Sequence, residues 1–292
     1  MSSHISFDAA SLTQPERFKY LLGSIGPRPI CFASTVDKEG KVNLSPYSFF
    51  NAFSSSPPIL IFSPARNRNR EQKDTYYNIL EVPEAVINII NYPIVEQQSL
   101  ASTAYDKGVN EFIKSGLTQI KSDLVRPPRV GESPAAFECK VIEVKEFGDN
   151  PGAGCLIICE VLVIHLKQEV LDDKGFPDAT KLDLVGRMGG NWYARASQEA
   201  LFEIQKPIRT MGMGIDLLPQ AIRESKVLVG NDLAKLGGIE SMPNEEEVKL
   251  LLNDIDFDLS VDPKLIHLAA KDLLDQDKRN EALALLLALH RD

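Results

Sequence analysis

Between about Pro29 and Leu166 the apolar residues come in short runs broken by turn signals, a rhythm that antiparallel strands produce and long helices do not. RPICFASTV (28–36) meets Asp37-Lys38-Glu39-Gly40 and resumes as KVNLS (41–45), which predicts a hairpin whose tight connection uses the positive φ open to Gly40. PPILIFS (57–63), EAVINII (84–90), AFECKVIEVKEF (136–147) and CLIICEVLVIHL (155–166) are rich in Val, Ile and Phe, so at least six strands precede residue 170. In 136–147, Phe137, Cys139, Val141 and Ile142 set against Glu138, Lys140 and Glu143 imply one buried and one wet face. Segment 155–166 is apolar on both faces and belongs at the centre of a sheet or at an interface.

Helices interrupt this pattern without alternating with every strand. Asp74 before TYYNILE reads as an N-cap, and YPIVEQQSLAST (92–103) holds a second helix. Adjacent, hairpin-connected strands with few crossover helices favour an antiparallel barrel over a doubly wound sheet. After about Gln205 the period changes. NEEEVKLLLNDI (244–255), DPKLIHLAAKDLLDQ (262–276) and KRNEALALLLALHRD (278–292) are helical, with Asp262-Pro263 as N-cap and first helical residue. The chain is therefore divided into a β-rich domain, 1–205, and an α-helical extension, 206–292. Leu250, Leu251, Leu252, Leu283, Leu285, Leu286, Leu287 and Leu289 are too apolar for a free arm and are expected to pack on the barrel, on another subunit or on each other. Gly212-Met213-Gly214 lacks the third glycine and the βαβ setting of a dinucleotide loop.

Charge and cysteine usage narrow the function. With 32 basic and 41 acidic residues the formal charge is −9, which removes the attraction that nucleic acids and anionic membranes require. No apolar run approaches the roughly 18 residues of a spanning helix and no secretory signal is visible, so a cytoplasmic location is expected. Cys31, Cys139, Cys155 and Cys159 form no CxxC, and the histidines are scattered, so neither a disulfide framework nor a metal site is expected. Cys155 and Cys159 on one strand face sit ~13 Å apart, too far for a disulfide. His165 reads as a packed strand histidine.

Two neighbouring segments carry chemistry. In STVDKEGKVNLSPYSFFNAFSSSPP (34–58), polar Ser34, Thr35, Asn43, Ser45, Ser48 and Asn51 are set among Tyr47, Phe49, Phe50 and Phe53. That mixture suits a bend in which prolines break the ladder and serines cap backbone groups. The functional reading is a rim offering N–H groups and hydroxyls to a flat heteroaromatic ligand. Next to it, Arg66, Arg68, Arg70 and Lys73 oppose only Glu71, either as a solvated loop or as a seat for an anionic phosphate at the helix start. Asp74 itself is a structural cap, since a carboxylate repels phosphate. Tyr105, Trp192, Tyr193 and Arg195 either close over a ligand or serve packing and ion pairs.

The run PRPI, STVDKEG, NLSPYSFFNAFS and PPILIFS, then KDTYYNI, Asn110-Glu111-Phe112, GL at 116–117, PPRV at 127–130, FEC at 137–139 and GRMGGNWYAR at 186–195, resembles the flavin reductase-like family of FMN-binding split-barrel proteins. The order and spacing hold over roughly residues 15–200. The resemblance implies a mainly β, Greek-key split β-barrel with peripheral helices that forms a homodimer and binds FMN at or near the dimer interface. It places Asn43, Leu44, Ser45, Pro46, Tyr47 and Ser48 along the isoalloxazine and ribityl chain, with Ser34 and Thr35 on the neighbouring strand end. Lys73, Asp74 and Thr75 match the family's phosphate signature, where Gln72 here replaces a frequent arginine; Arg66, Arg68 or Arg70 is left to supply that charge.

The expected activity is that of an FMN-dependent oxidoreductase in which NADH or NADPH gives a hydride to FMN and an acceptor, such as a partner protein, takes the electrons. Such chemistry needs no protein nucleophile. The alternative is an FMN-binding electron-carrier module reduced by a partner protein.

Overall fold

In the computed structural model, which describes residues 4–204, 210–253, 255, 257–258 and 260–289, the Val, Ile and Phe runs become strands. Their order is α1 (Gln14–Ser24), β1 (Arg28–Pro29), β2 (Cys31–Val36), β3 (Val42–Tyr47), β4 (Phe50–Ser55), β5 (Pro58–Phe62), α2 (Asp74–Glu81), β6 (Glu84–Ile89), α3 (Val95–Ala101) and α4 (Glu111–Ser115). There follow β7 (Gln119–Ile120), β8 (Arg129–Val130), β9 (Ala135–Glu146), β10 (Cys155–Leu166), α5 (Ala179–Leu182), β11 (Val185–Arg187) and β12 (Tyr193–Arg195). By internal contacts the chain forms two compact units, residues 1–202 and 203–292.

Seven strands of the first unit make one antiparallel sheet in the order β3-β2-β6-β9-β10-β5-β4. The β2–β3 hairpin turns at Gly40, whose φ of +86° is the conformation expected of it. The connection carrying α2 crosses from β5, near one end of the sheet, to β6 near the other. Strand alternation then assigns two faces. Cys31, Ala33 and Tyr47 pack with Phe62, Ile87, Ile157 and α2's Ile79; Phe32 and Leu44 pack with Ile90, Phe112 and Val130 on the other side. Burying an aromatic or branched side chain such as these contributes about 1.5–3 kcal/mol, so the two clusters hold both faces of β2 in place.

Three expectations need correction. Glu138 does not join a wet face but is fully buried, because the loop at 123–125 folds over β9 and donates three backbone N–H groups to its carboxylate. Ile142 is half-exposed although apolar, since it is the extra residue of a β-bulge: Val141 pairs with Cys159 and Glu143 with Ile158. The segment 50–55 is a strand, β4, exposed along most of its length at the sheet edge. Strand β10 is interior to the sheet, as its double-sided apolarity predicts, yet Leu162 and Ile164 remain exposed in the single chain.

The second unit contains α6 (Gln220–Arg223), α7 (Gly230–Gly237), α8 (Glu245–Asn253), α9 (Pro263–Asp275) and α10 (Arg279–Leu289). Asp262 caps α9 by accepting the Lys264 N–H at 2.8 Å, with Pro263 at the first helical position. Leu283, Leu285 and Leu286 are fully buried against Ile222, Leu236, Ile266 and Leu274, whereas Leu250 is exposed. The tail leucines thus bury mainly against their own unit.

Candidate functional site

Helix α2 lies against the face of the sheet that carries Thr35 and Asn43, directly opposite each other in the β2–β3 register. Thr75, Asn78 and Ile79 are the helix's buried face, at the i, i+3, i+4 spacing that puts side chains on one side. A buried polar knot results. The Asn43 amide donates to Thr75 Oγ1 at 2.9 Å and to Thr35 Oγ1 at 3.3 Å, the Tyr47 hydroxyl donates to Thr75 Oγ1 at 2.8 Å, and the Asn78 amide donates to Thr35 Oγ1 at 3.1 Å. Burial pushes the Tyr47 phenol well above its ordinary value, so it stays a neutral donor.

Two accepted bonds fill both lone pairs of the Thr75 hydroxyl and leave its hydrogen to donate elsewhere. The helix start that Thr75 belongs to has spare donors as well. Its N-cap is Lys73, with no side-chain cap; Asp74 is the first helical residue, which corrects the expected Asp74 cap. A terminus with uncapped N–H groups beside an exposed lysine favours an anion. Of the three arginines left open by sequence, Arg66 is committed: its guanidinium pairs with Glu146 of β9 and donates to the Gly148 and Arg70 carbonyls. Arg68 and Arg70 are exposed. Glu146 also accepts from Tyr76, whose phenol that bond pushes up to about 12.

The remaining expected residues separate. Ser34 Oγ donates to the Pro128 carbonyl on the opposite sheet face, and the Leu44 side chain is in the core. Ser45 is buried, Pro46 and Ser48 are half-buried, and Asn51 is exposed on β4 with its Oδ1 accepting the Ala52 N–H. Trp192 is exposed, Tyr193 reaches Gln98, Arg195 is bidentate to Asp183, and Tyr105 lies under Lys114. Among the described residues all four cysteines are free and buried, with burial pushing Cys139 up to about 12 and Cys155 up to about 11.

Glu111, which the sequence shows only within the Asn110-Glu111-Phe112 motif, takes a definite place in the structure. Its Oε2 accepts the Leu44 N–H at 2.9 Å, so a buried carboxylate closes the free edge of β3. Pro46, two residues on, has no N–H at the next outward position. Burial raises the Glu111 carboxyl above its ordinary value, with nearby Asp74 adding to this and Lys73 opposing it. Glu111 therefore stands close to the α2 start. Beside that start, Lys41, Asn43, Asp74, Asn78 and Lys107 line a recess of about 320 Å³. The second missed residue was Asn78, legible in retrospect from its spacing of three from Thr75.

The recess, the uncapped helix start and the spare Thr75 donor suit a phosphate ester. The flavin reductase like domain family model matches residues 23–180, more than half of the chain. The chain belongs to this family. Uncharacterized proteins of Aquifex aeolicus (strain VF5) and Bacillus subtilis (strain 168; YwrF) are each 33% identical, over 187 and 196 residues, covering 64% and 66% of this chain and 93% and 95% of theirs. Nitrilotriacetate monooxygenase component B from Bacillus cereus is similar in structure with a TM-score of 0.64 and 30% identity, over 70% of this chain and all of that one (100%). Pseudomonas fluorescens 2-nitrobenzoate 2-nitroreductase NbaA gives 0.63 and 26%, over 75% and 100%. An FMN-binding protein from Thermus thermophilus, at 19% identity and a TM-score of 0.53 over 70% of this chain and 100% of its own, shares the fold. The split barrel expected from the sequence is thus the fold of this flavin reductase-like protein. No helix among the described residues is long and apolar enough to cross a membrane.

Proposed function

We propose that this flavin reductase-like chain binds FMN and acts as an oxidoreductase in which NADH or NADPH is the reductant and an acceptor, such as a partner protein, takes the electrons. The observation that carries this reading is the start of α2, whose N–H groups have no side-chain cap, with exposed Lys73 at the N-cap and Asp74 and Asn78 of the helix lining the recess. When bound, FMN supplies the two-electron carrier on which hydride chemistry takes place.

The chain's own residues would hold and orient it. Lys73 and Thr75 hold the phosphate, while Thr35, Asn43, Tyr47 and Asn78 keep Thr75 at its place by spending their own polar groups on the knot. Leu44 offers its main-chain carbonyl only, its N–H being bound to Glu111, and Ser45, Pro46, Ser48 and Asn51 extend from the knot along β3 to the exposed β4. Asp74 repels phosphate and acts through the helix alone. A recess near the bottom of the usual cofactor range of roughly 300–1,000 Å³ needs a further wall for the whole flavin. A second copy of the chain, meeting exposed β4, is the proposed source of that wall. Two structural relatives above 25% identity, a monooxygenase component and a nitroreductase, support redox work of this kind.

The test is an absorbance spectrum after FMN incubation and desalting, followed by anaerobic NADH or NADPH. Retained flavin bands that bleach on mixing are expected. Retained bands that stay yellow would replace the reductase reading with that of a carrier reduced by a partner protein. The absence of both flavin retention and steady-state flavin reduction would overturn FMN binding itself.

A further inference from the structure

A second, smaller space lies elsewhere in the β unit, beside the end of β10. Ile120, Arg129, Ser133, Pro134, His165 and Lys167 are among the walls of a cavity of about 110 Å³ between β8, the turn after it and the end of β10. It shares no residue with the recess beside α2. Two polar groups of residues in its wall have no hydrogen-bond partner among the described residues: Ser133 Oγ, on a residue only 5% exposed, and Arg129 Nε. Buried donors left unpaired are rare in folded proteins, and two in the wall of one cavity call for a bound acceptor.

The surrounding charges decide its sign. Arg129 spends one N–H on the Lys121 carbonyl and Lys167 donates to the Glu132 carbonyl at 3.0 Å, with Glu169 3.7 Å away. Asp123, Glu138 and His165 cluster nearby and superficially suggest a cation. Glu138 cannot serve one. Its Oε1 accepts the Asp123 N–H and the His165 ring at 2.7 and 2.8 Å, and its Oε2 accepts the Leu124 and Val125 N–H groups at 2.7 and 3.2 Å, which occupies all four lone-pair positions. The carboxylate is thereby spent on the loop, and the two unpartnered groups of the cavity wall, Arg129 Nε–H and Ser133 Oγ–H, can both donate.

We propose that this cavity binds a small oxyanion, with Arg129 Nε–H and Ser133 Oγ–H as its fixed donors and Lys167 and His165 on its rim. At roughly 30 Å³ per water, the volume takes phosphate, sulfate or a short carboxylate and is too small for a nucleotide or a flavin. A charged acceptor strengthens both bonds relative to water. Bound there, the anion would tie β8 to the end of β10, across the loop that Glu138 anchors.

The test titrates flavin-free, full-length protein with inorganic phosphate, sulfate and acetate by calorimetry, with chloride at matched ionic strength as the reference. Saturable binding is expected, weakened tenfold or more in Arg129→Gln and Ser133→Ala and retained in Lys73→Gln, which removes the cation of the other phosphate seat. The ranking of phosphate and sulfate against acetate separates an inorganic ion from the carboxylate of an organic acid. No saturable response beyond chloride, or a response lost in Lys73→Gln and kept in Arg129→Gln, would overturn the proposal. Should the variants fail to fold, crystals of the unaltered protein soaked in selenate decide it: an anomalous peak in hydrogen-bond reach of Ser133 and Arg129 supports the site, and a flat map refutes it.

Discussion

Asn43 Nδ2 lies 2.9 Å from Thr75 Oγ1 and 3.3 Å from Thr35 Oγ1, so one side-chain amide joins edge strand β3, its neighbour β2 and helix α2. Asn43→Ala leaves buried hydroxyls short of a donor and should cost roughly 1–3 kcal/mol of stability. It should also weaken FMN retention, because Thr75 loses one of the two bonds that orient its hydroxyl. Urea unfolding followed by circular dichroism, alongside FMN fluorescence titration, checks both; wild-type values in each would contradict the knot's role.

Lys73 and Arg66 are both basic and close in sequence, yet they should behave differently. Lys73→Gln removes the cation proposed to hold the phosphate and should raise the FMN dissociation constant about tenfold. Arg66 is already tied to Glu146 and two carbonyls. Arg66→Gln should therefore lower the melting temperature while changing FMN affinity by less than about threefold. The reverse ranking in the titration would assign the phosphate to Arg66.

Glu138 should dominate part of the acid limb of stability. Its burial alone would raise the carboxyl, but three N–H donors and His165 outweigh that and hold it below the ordinary value of 4.5. A depressed folded pKa means that its stabilisation is complete above pH 4.5 and is lost as pH falls through the lower folded value. Glu138→Gln offers one acceptor oxygen to four donors and should cost about 3 kcal/mol at neutral pH, with a shallower loss on acidification. Parallel acid-titration curves for the two proteins would count against this account.

Glu111 has the opposite sign. Its folded pKa is raised above 4.5, so folding loses stability as pH climbs from 4.5 through the raised value. Glu111→Gln keeps an acceptor for the Leu44 N–H and removes the charge that faces Asp74, Lys73 and Tyr47. The variant should match the parent below pH 4.5 and exceed it near neutrality. Thermal melts across pH 4 to 8 test this, and a variant less stable at every pH would refute it.

The second unit should respond by itself. Leu285 is fully buried in a cluster made only of residues from 213 onward. Leu285→Ala should destabilise the helical unit by about 2–5 kcal/mol while leaving FMN binding to the β unit unchanged. A loss of FMN affinity equal to the loss of helix content would show that the units do not act separately.

The strands were legible because their signal is local. Positions 155–166 became β10 without a residue of error, and Gly40 took the positive φ that its hairpin requires. The Asp262-Pro263 start of α9 was readable for the same reason. What failed was local reasoning applied to residues with distant partners. Asp74 has the composition of a cap but stands one position inside the helix, and β4 was hidden among serines and prolines that a sheet edge tolerates.

The sequence by itself determined the sheet-rich first part, the helical tail and the hairpin, since each depends on periodicity or on motifs within a few residues. Only the tertiary structure decided which polar groups meet. Asn43 reaches across 32 residues to Thr75 and Glu111 across 67 to Leu44, while Glu138 is buried because three N–H groups some 14 residues away arrive to meet it. Such bonds are fixed by how strands and loops stack in space, and periodicity along the chain carries no record of that.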